Sequence, residues 1–290
     1  MTHGSTYDLD ALPSANHLRI PSFPRIAGEL GSLVPFAAIT FLFLAMTVPT
    51  LMAMALDSRS FQGDSIWLKP LKFQLSLAIF FGTVAWFGLY TSEAFRSSRA
   101  VHLFAYIACF AALAEIAWIG GAAMFGTASH FNTSSAFMAG IYSLMGAFAV
   151  TLTASALVVG IGVLRNDSSR LALAMKHAVG WSMIVTFVAT VTTAGYMASQ
   201  TGHLVGDEAQ RTAHWLTGWS TQVGDLRVPH FFATHAMHIV PLFALGVAIF
   251  TAGRRGQMSA AWALLLGYSA FTAHTFSEAA AGRPFLCGLL

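Results

Sequence analysis

The stretch LVPFAAITFLFLAMTVPTLMAMAL, residues 33–56, decides the fold, because it runs for 24 residues without a charged side chain. A helix of about 20 mostly apolar residues is long enough to cross the hydrocarbon core of a bilayer. Six later stretches are similar, and they lie near residues 71–91, 101–121, 134–164, 171–198, 229–251 and 259–281. The sequence therefore predicts an all-α fold, a polytopic integral membrane bundle of seven transmembrane helices.

The composition supports a membrane protein and excludes several other classes. Hydrophobic residues make up 56% of the chain and charged residues only 9%, whereas soluble domains average about 25% charged residues. A chain with so few charges cannot cover a water-facing surface, which excludes a soluble enzyme, a disordered chain and a nucleic-acid binder with a basic patch. We therefore expect the lipid bilayer as a partner and no nucleic acid.

The arrangement of polar segments predicts how the chain is organised. A polar N-terminal segment, residues 1–32, precedes the bundle of residues 33–281, which contains one long loop at 199–228 and is followed by a tail at 282–290. Nine Lys and Arg residues fall on the N-terminal side of the predicted spans and six on the other side. Cytoplasmic loops carry the excess of positive charge. We therefore expect a multi-pass protein of the cell membrane with its N-terminus in the cytoplasm and the long loop outside.

Ionisable residues inside apolar spans are costly and are therefore usually functional or paired. Five such residues stand out: Glu115, His235, His238, His274 and Glu278. On the predicted spans, three of them, Glu115, His235 and His274, lie about 9–10 Å below the same membrane face. His235 and His238 share a helix face at spacing i,i+3, and His274 and Glu278 share one at i,i+4.

Imidazole and carboxylate ligands that project inward from facing helices can build a metal site in a bundle. The sequence therefore predicts His235, His238, His274 and Glu115 as metal ligands, with Glu115 and Glu278 also as catalytic groups. This donor set is compatible with zinc, iron or copper. His130 lies close to the predicted site and is a further candidate for cofactor binding. Arg227 is a candidate for holding an anionic group, such as a haem propionate or a lipid phosphate.

Three functions are compatible with these residues. The first is a metal-dependent membrane enzyme, a hydrolase or an oxidoreductase, that acts on a lipidic or amphipathic small molecule. The alternative is a haem b protein for electron transfer or quinol oxidation. A second alternative is a proton-coupled transporter. The transporter is disfavoured at this level because no internal repeat is evident and the polar residues stop half-way across the spans.

Overall fold

The computed structural model describes residues 29–61, 63–206, 212–214, 217–251 and 253–285. Most of the polar N-terminal segment, parts of the loop at 199–228 and the end of the C-terminal tail lie outside the described residues. After a 3-10 turn at Gly31–Leu33, the described residues form eight helices: α1 (Val34–Leu56), α2 (Leu68–Gly88), α3 (Glu93–Arg96), α4 (Arg99–Met124), α5 (Ala136–Leu164), α6 (Leu173–Ala198), α7 (Arg227–Phe250) and α8 (Arg254–Ala280).

The predicted all-α polytopic bundle is confirmed. The seven long helices coincide with the seven apolar stretches to within a few residues, and six of those described, α1, α2, α4, α5, α6 and α7, are long and apolar enough to cross a membrane. Helix α8 has 27 residues, enough to span a bilayer, but it is the least apolar of the seven. Membrane crossing by α8 and the cytoplasmic N-terminus stay predictions.

Two short antiparallel hairpins mark one end of the bundle. Strands β1 (Ser60–Phe61) and β2 (Asp64–Ser65) pair between α1 and α2, and strands β3 (Leu204–Val205) and β4 (Gly224–Asp225) pair between α6 and α7. We call this end of the bundle the hairpin end. The opposite end, where α2 is followed by the short helix α3, is the α3 end.

The long helices pack as two three-helix units on either side of α5. Helices α1, α2 and α4 pack against one another and form the first unit, while α6, α7 and α8 form the second unit. Helix α5 packs against α4 and α2 on one side and against α6 on the other. In the described residues, helices of the two units touch each other directly only at isolated points.

The two units share three features of their topology. In each of them a β-hairpin connects the first helix to the second, and a proline, Pro70 or Pro229, is the third residue of that second helix. Corresponding helices run in the same direction, because α1 and α6 both end at the hairpin end. We call the space between α2 and α7, the second helices of the two units, the seam.

Candidate functional site

The structure places the predicted site residues at similar depths below the hairpin end. Glu115 lies nine residues before the end of α4, His235 eight residues after the start of α7, and His274 six residues before the end of α8. At 1.5 Å of rise per residue these positions are about 14, 12 and 9 Å deep. The packing nevertheless directs the three side chains to different neighbours.

His235 and His238 lie together in the seam. Their Nδ1 atoms are 3.2 Å apart, and the Nε2 atom of His238 is 3.0 Å from Thr83 Oγ1 on α2. Both imidazoles are half-buried, and the centre of the Phe231 ring lies 4.3 Å from that of His235, with the two ring planes tilted by 47°. The contact between His238 and Thr83 is a direct hydrogen bond from the second unit to the first.

The hydrogen bonds in this row show which nitrogen atom of each imidazole carries the hydrogen. Thr83 donates its single hydroxyl hydrogen to the carbonyl oxygen of Ile79, at 2.8 Å. It therefore accepts from His238, so that His238 carries its proton on Nε2 and presents the lone pair of Nδ1. His235 must then donate from its own Nδ1. In the neutral pair, a single hydrogen lies between the two Nδ1 atoms.

Glu115 and His130 belong to a second group, which gathers around Lys69 at the hairpin end of the first unit. Glu115 is buried, with 4% of its surface exposed, and Lys69 is the charged group that acts on it. Lys69 Nζ and Ser129 Oγ lie 3.2 and 3.1 Å from Nδ1 of His130. Burial and the Lys69 ammonium lower the pKa of His130 to about 3. His130 is thus a neutral imidazole at physiological pH.

His274 and Glu278 belong to a third group, which lines a cavity of about 310 Å³ at the hairpin end of the second unit. Glu278 accepts two hydrogen bonds of 2.6 Å from the guanidinium of Arg283. Phe271 and Phe285 form part of the apolar wall of the cavity. Glu278 is therefore neutralised by an arginine, and His274 is an exposed side chain beside this ion pair.

Arg227, the predicted anion-binding residue, is held by its own loop. Its Nε and Nη2 atoms bind the carboxylate of Asp225 at 2.6–3.2 Å, and Nη2 also donates to the carbonyl oxygen of Gly218. The Asp225 side chain is fully buried, whereas that of Arg227 is 34% exposed. This ion pair fixes the loop to the start of α7 and occupies one edge of the guanidinium, and the anion-binding role of Arg227 stays a prediction.

Within the described ranges, no three His, Cys, Asp or Glu side chains lie together so that they could hold a metal ion. Of the four predicted ligands, the structure brings His235 and His238 together and places Glu115 and His274 in separate groups. The four-ligand metal site and the catalytic roles of Glu115 and Glu278 stay predictions.

Sequence reasoning missed the hydroxyl groups that serve these imidazoles. Thr83 is a single hydroxyl residue in an apolar run, and nothing in the sequence pattern points to it. The hydroxyl residues of α6 do form a recognisable pattern, because they recur at helical spacing. They are Ser182, Thr186, Thr190 and Thr193, and all four are buried. Such spacing places the four side chains along one face of the helix.

No protein-family model, curated protein or solved structure matches this chain significantly.

Proposed function

We propose that the chain is a proton-coupled transporter of the cell membrane, in which the seam is the transport path and His235 and His238 carry the proton. The observation that carries the proposal is the hydrogen-bonded row from His235 through His238 to Thr83. Thr83 lies five residues before the end of α2, or about 8 Å from the α3 end. His238, to which it is hydrogen-bonded, is the twelfth of the 24 residues of α7, so the polar row reaches the middle of the bundle.

The similar topology of the two units supports this proposal. Transporters built from parallel repeats bind their substrates near the middle of the membrane, at the interface between the repeats. In this chain the corresponding second helices α2 and α7 meet at the seam, and the His238–Thr83 hydrogen bond joins them there. The two units thus have the order and direction of elements that parallel repeats would have.

The geometry of the pair also gives proton uptake a structural effect. The neutral pair shares one hydrogen between two Nδ1 atoms that are 3.2 Å apart. A proton taken up from water would bind to Nε2 of His235, whose lone pair is open, and the resulting imidazolium would donate a stronger, charge-assisted hydrogen bond to His238. Since His238 also binds Thr83, this change would act on the contact between the two units.

The exposure of the seam favours a lipidic or amphipathic substrate. Large apolar side chains are exposed along the outer surfaces of both seam helices, among them Ile79 at 53%, Phe231 at 41% and Leu242 at 67%. In a bilayer such surfaces face acyl chains. A substrate with an apolar part could enter the seam from the side and meet the imidazoles in its interior.

Proton flux in vesicles tests the proposal. Purified protein is reconstituted into phospholipid liposomes that contain a pH-sensitive dye, the phospholipid serving as the lipidic substrate, and the decay of an imposed pH gradient is followed. We expect wild type to dissipate the gradient faster than protein-free vesicles, and His235→Gln and His238→Gln to slow this decay on the order of tenfold or more. His102→Gln is the matched control, because His102 is exposed at the α3 end. A wild-type rate equal to that of empty vesicles, or unchanged rates in both seam variants, would overturn the proposal.

A metal-dependent function is the second candidate, and the same pair favours it. Two nitrogen ligands of a tetrahedral zinc ion, each at 2.0–2.1 Å, lie about 3.3 Å apart, close to the observed 3.2 Å between the Nδ1 atoms. The hydrogen bond from His238 Nε2 to Thr83 would then orient the ring, as such bonds do for metal-bound histidines. Elemental analysis of the same variants decides: stoichiometric metal in wild type and in His102→Gln, lost from both seam variants, would favour this candidate over proton transport.

A further inference from the structure

The buried hydroxyl row of α6 faces α7, on a different side of α7 from the seam. Thr186 Oγ1 accepts a hydrogen bond of 2.9 Å from the backbone N–H of Met237. Thr193 Oγ1 lies 3.3 Å from His230 Nδ1. These two contacts fix how the antiparallel helices α6 and α7 are aligned. Thr186 and Thr193 are seven residues apart on α6, and their partners Met237 and His230 are seven residues apart on α7.

The alignment leaves one hydroxyl of the row opposite a residue that cannot bind it. Thr190 lies four residues after Thr186 and so falls opposite Ala233. The side chain of Ala233 is a methyl group and is fully buried. Thr190 is itself only 6% exposed, and its Oγ1 has no hydrogen-bond partner among the described residues. A buried hydroxyl without a partner loses the hydrogen bonds that it made with water in the unfolded chain.

Two side chains close to Thr190 in the sequence alignment of the helices, His230 and Thr234, have lone pairs that accept no hydrogen bond from the described residues. Thr193 donates its hydrogen to the carbonyl oxygen of Ala189 at 2.9 Å, so it accepts from His230 and leaves a lone pair on the Nε2 of that ring. Thr234, next to Ala233, donates to backbone oxygens of its own helix and keeps free lone pairs on Oγ1. A buried water molecule typically makes two to four hydrogen bonds to such otherwise unsatisfied groups.

We infer that a water molecule is bound between α6 and α7 at Thr190, opposite the short side chain of Ala233. The Thr190 hydroxyl is its primary partner, and the open lone pairs of Thr234 and His230, both within one turn, are the acceptors for its hydrogens. The site lies on the α6 side of α7, and its existence does not depend on whether the seam carries protons.

The test uses an isosteric substitution that should lower the Tm if water is bound and should leave it unchanged or raise it if the site is dry. Thr190→Val removes the hydroxyl and keeps the shape. If water is bound there, we expect the Tm in detergent to fall by about 2–4 °C, as for the loss of one hydrogen bond. In a dry site the same change would remove an unpartnered polar group, and the Tm would stay the same or rise. A Tm that is unchanged or raised therefore overturns the inference.

Two further measurements complete the test. Thr192→Val is the matched control, because Thr192 is exposed on the same helix and its hydroxyl binds Val188 within it; its Tm should stay close to that of wild type. Thr190→Ser, which keeps the hydroxyl, should have a Tm closer to wild type than Thr190→Val has. The wild-type Tm should be equal in sodium chloride and choline chloride. A rise in sodium that Thr190→Val abolishes would identify a bound cation and overturn the assignment of water.

Discussion

A lysine ammonium has no lone pair, and this fixes the protonation of His130. Because Lys69 Nζ lies 3.2 Å from His130 Nδ1, the imidazole nitrogen must accept and can carry no hydrogen. The same reasoning, applied to Thr83 and Thr193, assigns the tautomers of His238 and His230. At the scale of the residue, a neighbouring hydroxyl or ammonium group thus assigns the tautomer of His130, His230 and His238.

The neutral state of His130 makes stability depend on pH in a definite direction. In the unfolded chain its pKa is near 6.5, and in the folded protein it is about 3, so between these values the unfolded state binds more protons. We therefore expect stability to be complete above pH 6.5 and to fall as the pH drops below it, by at most about 1.4 kcal/mol per pH unit from this residue.

The variant His130→Asn isolates this contribution, since asparagine can still accept from Lys69 but does not titrate. The Tm of both proteins would be measured in detergent between pH 7.5 and pH 5 (about one unit on either side of the histidine value). We expect a shallower decline in the variant. Parallel curves for the two proteins would show that His130 is not held neutral.

At the scale of the element, the contact between α5 and α6 depends on two glycines. A Cβ atom at Gly160 would lie 2.8 Å from the carbonyl oxygen of Gly180 and 2.9 Å from the Cβ atom of Met183. Both are fixed parts of α6, so neither can move aside as a flexible side chain would. Small residues of this kind let membrane helices approach closely, and here they attach the second unit to α5.

Substitution of these glycines therefore tests the packing. Gly160→Ala should lower the stability by about 1–3 kcal/mol, because the added methyl group pushes α6 away. Gly146→Ala is the control, because Gly146 is on the same helix and an added Cβ would meet nothing within 4 Å. That variant should be neutral or slightly stabilised. Stability is measured by denaturation in detergent, followed by circular dichroism. Equal stabilities of Gly160→Ala and Gly146→Ala would show that α5 and α6 do not approach closely at Gly160.

The positions of the helices were far easier to predict from the sequence than the contacts between side chains of different helices. Uncharged runs such as 33–56 gave the position of each long helix, because the bilayer sets both length and composition. The pairing of His235 with His238 followed from their spacing on one helix. The convergence of Glu115 with His274 could not be judged in this way, since the rotation of α4 and α8 about their axes depends on which unit each joins. Thr83 and Lys69 were missed as partners for the same reason.

At the scale of the whole molecule, the two units and α5 give an odd number of long helices. If α8 crosses the membrane like the other six, the two chain termini lie on opposite sides. Helix α8 is the least apolar long helix, and it packs against α6 and α7 within the second unit. Its polar residues thus have helices as well as lipid around them.

Reporter fusions test this topology. We expect alkaline phosphatase fused after residue 290 to be active in a bacterial host and a fluorescent protein fused there to be dark, because the C-terminus is predicted to lie outside. Fusions after residue 251, between α7 and α8, should give the opposite pattern. The same pattern at both positions would mean that α8 does not cross the membrane, and the second unit would then have two spans.

The length of α5 has a consequence for the molecule in its natural setting. Its 29 residues measure about 43 Å, although the hydrocarbon layer is only about 30 Å thick. A helix of this length tilts in the bilayer, and it tilts further where the acyl chains of the lipids are shorter. Because α5 packs against helices of both units, its inclination sets the angle between them, and membranes with different acyl chains should therefore hold the seam at different widths.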